Sequence, residues 1–181
     1  MEKMEVMNIT YHSDSHIKAK VVQFYESLYT EKESWRPFVG DLPFSVLEDS
    51  DSLLLERHFE KEEIVQVVRD LQGDKSPGPD GFNMALFQKC LHVVEKDLLG
   101  FFEEVYEHCT FAYSLNATFV AFIPKKRNAL NIRDFRLIGL VGSVYKILAN
   151  VLANRLKKVL YGLVSESQNA FVEAGKLLTQ F

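Results

Sequence analysis

The 181 residues are 47% hydrophobic and 25% charged, enough for one ordinary domain or a piece of a larger one. Fourteen Phe, seven Tyr and one Trp against nine Gly and five Pro exclude collagen-like, low-complexity and mostly disordered classes. The net charge of −4 hides an asymmetry: residues 1 to 120 sum to −11, while residues 121 to 160 carry nine Lys/Arg against Asp134 alone, a basic block suited to a polyanion or, equally, to a solvated face.

At the N-terminus, MEKMEVMNITYHSDSH lacks the apolar run of a secretory signal, and no stretch reaches the roughly 20 apolar residues of a membrane span. The two cysteines, Cys90 and Cys109, cannot build a disulfide scaffold, so a reducing, intracellular compartment is expected. Ile17, Val21, Phe24, Tyr25 and Leu28 recur at helical spacing and predict a helix over 16–30, with Asp14 or Ser15 as its cap. Residues 31–58, with Pro37, Gly40, Pro43 and the acidic run LEDSD, read as a loose connector. A second helix is predicted over 60–72, opened by Glu60, Glu62 and Glu63, carried by Ile64, Val67, Val68 and Leu71, and ended by Gly73.

The following loop, GDKSPGPDGFN, is rigid by composition. Pro77 and Pro79 fix their own φ, Gly78 and Gly81 reach conformations closed to other residues, and Asp80 suits a turn or a cap. It is not a nucleotide-binding P-loop, because its lysine precedes the glycines. Two helices are predicted next, 84–94 and 97–113, broken near Glu95 and Lys96. The period then changes: ATFVAFIPKK and FRLIGLVG predict strands at 117–123 and 135–141, joined by the basic loop KKRNALNIRD. A last amphipathic helix follows Ser143. Its apolar side is Val144, Ile147, Leu148, Val151, Leu152, Leu156, Val159 and Leu160, and its other side carries Lys146, Asn150, Asn154, Lys157 and Lys158.

The ordered blocks KSPGPDG (75–81), FIPKK (122–126), DFR (134–136), YKILANVLANRLKKVL (145–160) and SQNAFV (167–172), with VVQFYESLYTE and FEKEEIVQVVRDLQGDKSPGPDG upstream, resemble the reverse transcriptase of non-LTR, LINE-type retrotransposons, particularly plant ones. The resemblance implies an α+β, mostly helical fold: part of a right-hand polymerase (the fingers) with a short β-hairpin, an N-terminal helical connector and an incomplete palm. It implies two regions, 1–58 upstream of the polymerase and 59–181 as the N-terminal part of the reverse transcriptase. By the same resemblance Lys125, Lys126 and Arg136 match positions that contact the incoming triphosphate, through fixed cations and a bidentate guanidinium. The plain alternative is a solvated hairpin tip with Arg136 paired to Asp134. Lys146, Arg155, Lys157 and Lys158 are candidates for the template phosphates, and Gln168 and Phe171 for contacts with the template strand.

In that family Mg2+ is held by palm aspartates, including a tyrosine-x-Asp-Asp turn, that follow SQNAFV, and the partners are an RNA template and a DNA primer. Here Asp134 is the last aspartate. The expectation is therefore a fragment of an RNA-directed DNA polymerase that holds no catalytic ions by itself, binds nucleic acid weakly, and associates with the missing palm or with itself. DFRLIGL in place of DFRPISL, and Ala174-Gly175 in place of glycine-arginine, point to a decaying copy. A non-catalytic helical interaction module is the alternative. The five histidines show no HExxH context, so neither a catalytic nor a metal site is predicted from them.

Overall fold

The computed structural model describes residues 3–36, 38, 40, 45–164, 172–173 and 176–177. The chain divides into two compact units, one of Met1–Asp41 with Val120–Gly139, the other of Leu42–Phe119 with Leu140–Phe181.

In the first unit, strands β1 (Met4–Val6) and β2 (Ile9–Tyr11) pair antiparallel, with Met4 opposite Tyr11 and Val6 opposite Ile9. Met7 and Asn8 turn between them at φ of 52° and 64°, the paired left-handed conformation that matches the twist of a two-residue hairpin. Helix α1 (Asp14–Tyr29) follows, one turn-half earlier than its periodicity predicts. Ser13 stands at the cap position, its hydroxyl bonded to the Ser15 hydroxyl at 2.9 Å and not to a backbone N–H of the first turn, so neither Asp14 nor Ser15 is the cap. Met4, Val6, Ile17 and Ile132 are buried together, with Phe24, Tyr25, Phe122 and Phe135 packed around them. The N-terminal hairpin and the loop near 131 thus share one small core. That grouping cuts across the 1–58 and 59–181 division expected from the sequence.

Strands β3 (Thr118–Pro124) and β4 (Phe135–Val141) lie side by side in a two-stranded sheet, within a residue of their predicted limits. The rings of Phe122 and Phe135 meet edge to face at 6.2 Å.

The second unit is built from helices α2 (Asp49–Glu56), α3 (Lys61–Asp70), α4 (Met84–Lys89), α5 (Leu91–His108) and α6 (Ser143–Leu163), with two short strands, β5 (Val172–Glu173) and β6 (Lys176–Leu177). Its core joins Ile64, Val67 and Val68 of α3, Met84 and Phe87 of α4, Leu98 and Phe102 of α5, and Ile147, Leu148 and Val151 of α6.

Two expectations are corrected here. The connector holds α2, whose first turn carries Asp49 and Asp51; the acidic run read as a loop suits the positive end of a helix dipole. The break in the later helical stretch falls at Cys90, not at Glu95 and Lys96. Cys90 leaves helical geometry at φ −104°, ψ 20°, while Glu95 sits inside α5 and pairs with Lys61 at 2.6 Å.

Candidate nucleotide-binding site

The basic tip lies within the first unit. Residues 125–136 carry Lys125, Lys126, Arg127, Arg133 and Arg136 against Asp134, and their backbone is pinned at several points. Buried Ile132 anchors a 3-10 turn over Ile132–Asp134. The Asn131 side chain accepts from the Arg133 N–H at 3.1 Å and donates to Glu5 Oε1 at 2.9 Å. The Lys125 N–H donates to the Asp134 carbonyl at 2.8 Å.

On this frame the predicted residues divide. Lys125 Nζ donates to the Arg133 carbonyl at 2.9 Å, and Lys126 Nζ pairs with Asp134 Oδ1 at 2.9 Å. Arg136 is exposed and, among the described residues, its guanidinium has no partner. The plain alternative for the tip therefore fails in its detail: Asp134 is held by Lys126, not by Arg136. Phe122 and Phe135 share a face of the β3–β4 sheet, so strand alternation turns Arg136 to the opposite one. Sequence reasoning left out Arg127 and Arg133, which are exposed with unpaired guanidinium groups among the described residues. The basic loop KKRNALNIRD was their signal.

The tip does not suit a divalent cation. Its one carboxylate, Asp134, already neutralises an ammonium, and the surrounding charges are positive. Among the described residues no three His, Cys, Asp or Glu side chains gather into a metal site.

Helix α6 belongs to the second unit, and its candidates fare unequally. Lys158 is exposed and Lys157 half-buried, and among the described residues neither ammonium has a partner. Lys146 Nζ reaches the Ser76 carbonyl at 3.4 Å, beside the KSPGPDG loop.

Arg155 is corrected from a template contact to a structural residue. Its side chain is 3% exposed, and all five N–H groups are spent: on the carbonyls of Leu55, Arg57 and His58, and in a two-point grip on the Glu63 carboxylate. Its guanidinium also lies 4.4 Å over the Phe59 ring. Burial pushes the Glu63 carboxyl up, but the hydrogen bond from Arg155, the Glu60 N–H and the charges of Arg155 and Arg57 outweigh it and leave the group below its ordinary value. Gln168 and Phe171 lie outside the described residues.

The KSPGPDG loop fits the structural reading. Gly78 packs against the backbone of Val141 and Gly142. Asp80 accepts from the Phe82 N–H at 3.3 Å and from the Ser143 N–H at 2.6 Å, so it closes its own turn and caps α6.

No family model matches the chain. It is 25% identical over 157 residues to an uncharacterized 149 kDa protein of transposon TX1 from Xenopus laevis, across 84% of this chain and 12% of that protein. The chain thus spans about an eighth of that relative's length, and the similarity supports an origin in a transposable element.

Proposed function

We propose that the chain is the nucleotide-gripping and template-facing part of a reverse transcriptase of the non-LTR, LINE type. Arg136 carries the reading. It is an exposed arginine, unpaired among the described residues, on a strand of a two-stranded sheet whose loop supplies four further cations. A planar guanidinium in that position suits two phosphate oxygens at once, while Lys125 and Lys126 supply the accompanying point charges. Lys146, Lys157 and Lys158 suit the phosphates of a template strand, an attraction indifferent to sequence and weakened by salt. The transposon-encoded relative supports the origin in a transposable element from which that reading starts. The residues named here are assigned binding roles alone.

The test is binding of a fluorescent deoxynucleoside triphosphate and of an RNA–DNA primer-template, titrated with salt from about 50 mM upward. The joint Lys125, Lys126 and Arg136 alanine variant should lose triphosphate binding by at least about tenfold, since each charge-assisted contact contributes about 1.5–3 kcal/mol. Absence of both ligands at low salt would overturn the reading and leave the helical interaction module.

A further inference from the structure

The geometry points to a second ligand site in the first unit, a cleft that takes one nucleotide of a single strand. It has a volume of about 290 Å³ and is lined by Met7, Asn8, Phe24, Asn131, Ile132 and Arg133. The inference rests on the reading that this chain binds nucleic acid, and it adds a place for an unpaired nucleotide beside the triphosphate tip, with which it shares Asn131, Ile132 and Arg133.

The lining residues divide by chemistry. Phe24 and Met7 offer an aromatic ring and a soft thioether, the surfaces on which bases stack or pack irrespective of their identity. Arg133 is exposed, and among the described residues its guanidinium is unpaired and no carboxylate lines the cleft to compete for it. The Asn8 amide offers both a donor and an acceptor to a base edge or a sugar hydroxyl.

The walls are fixed before any ligand arrives. Ile132 is buried, Asn131 is bonded on both sides, and the Glu5 N–H donates to the Leu130 carbonyl at 2.7 Å. Met7 and Asn8, held in their left-handed turn, supply another part of the lining. Lys125 Nζ rests on the carbonyl of Arg133 itself at 2.9 Å. A second cation thus lies against the backbone of the residue whose guanidinium lines the cleft.

The experiment uses the full chain with short oligouridine and oligodeoxythymidine, followed by fluorescence anisotropy, and oligouridine carrying one 4-thiouridine for photocross-linking. Arg133→Ala should weaken binding about fivefold to tenfold and reduce the salt slope by about one. Asn8→Asp, which places a carboxylate in the cleft, should weaken it at least as much. Both side chains are exposed, and circular dichroism of each variant should match the parent. Cross-links should fall on Met7 or Phe24 and weaken in both variants in step with the affinity. A parent that binds while both variants bind equally well, or that cross-links only elsewhere, overturns the cleft; triphosphate binding dependent on Arg136 would then still stand. A parent that binds no oligonucleotide and no triphosphate overturns both.

Discussion

Asp80 and Ser143 are 63 positions apart, yet the carboxylate of one accepts the backbone N–H of the other at 2.6 Å. Ser143 is the first residue of α6, so the bond satisfies an orphan donor at a helix start and sets a negative charge at the positive end of the dipole. Ser143 answers through its hydroxyl, which donates to the Phe82 carbonyl at 2.7 Å. Asp80→Ala should cost about 1–2 kcal/mol, as for other lost caps, and Asp80→Asn less, because an amide oxygen still accepts. Urea unfolding of the three proteins checks the order; equal midpoints would show that the cap contributes nothing.

Gly78 and Gly81 sit in one loop but should respond differently to alanine. A Cβ on Gly78 would stand 2.5 Å from Gly142 N and 2.5 Å from Val141 C, backbone atoms that cannot swing away. Gly81 has open space around it and a φ of +73°, so its substitution meets only left-handed strain, about 1–2 kcal/mol. Gly78→Ala should cost more, about 3 kcal/mol or above, by forcing the loop off the start of α6. Thermal unfolding of the pair tests this, and a Gly81 variant less stable than the Gly78 variant would contradict it.

The loop shows where sequence reading stops. Its rigidity was legible in Pro77, Gly78, Pro79 and Gly81, because those residues constrain their own backbone. Its docking partner was not, since nothing local names Gly142 and Ser143. The two strands and α6 were legible from their periods, but the stripe on α6 was misjudged: Leu152 and Leu156 stand 45% and 42% exposed while Arg155 is buried. A charged residue is expected to face water unless paired, and its acceptors lie on 55–63, nearly a hundred residues earlier. The N-terminal hairpin escaped notice because Met7-Asn8 lacks the glycine that usually marks such a turn. Of the site, the cations of the tip were visible as composition. That Asp134 would take Lys126 and leave Arg136 open depends on side-chain placement.

The Arg155–Glu63 grip should make stability depend on acidity. The folded Glu63 carboxyl is held below its ordinary value of 4.5, so the unfolded chain takes up the proton first as pH falls. Its contribution is full above the unfolded value and is lost as pH drops through the lower folded one. Urea midpoints should therefore fall below about pH 5, and Glu63→Gln should flatten that limb. Arg155→Ala should cost about 3–5 kcal/mol at neutral pH, because Glu63 loses its two-point partner and keeps only the Glu60 N–H and Arg57, while three carbonyls lose the Arg155 donor. A mild loss, comparable with an exposed lysine variant, would show that the grip is not structural.

Asp134 is the one acid in a basic tip, and on the proposed function it works against the ligand. Its carboxylate holds Lys126 at 2.9 Å, while its backbone N–H and carbonyl bond to Asn131 and Lys125. Asp134→Asn removes the charge and keeps those backbone bonds, so the turn should persist. Lys126 is then released toward phosphate, and the tip gains one net positive charge. Breaking a partly exposed pair costs little, about 0.2–1 kcal/mol. Triphosphate affinity at about 50 mM salt should rise about twofold to fivefold with a steeper salt dependence. If Asp134 instead orients Lys126 for the ligand, affinity will fall, and the ion pair must be counted as part of the site.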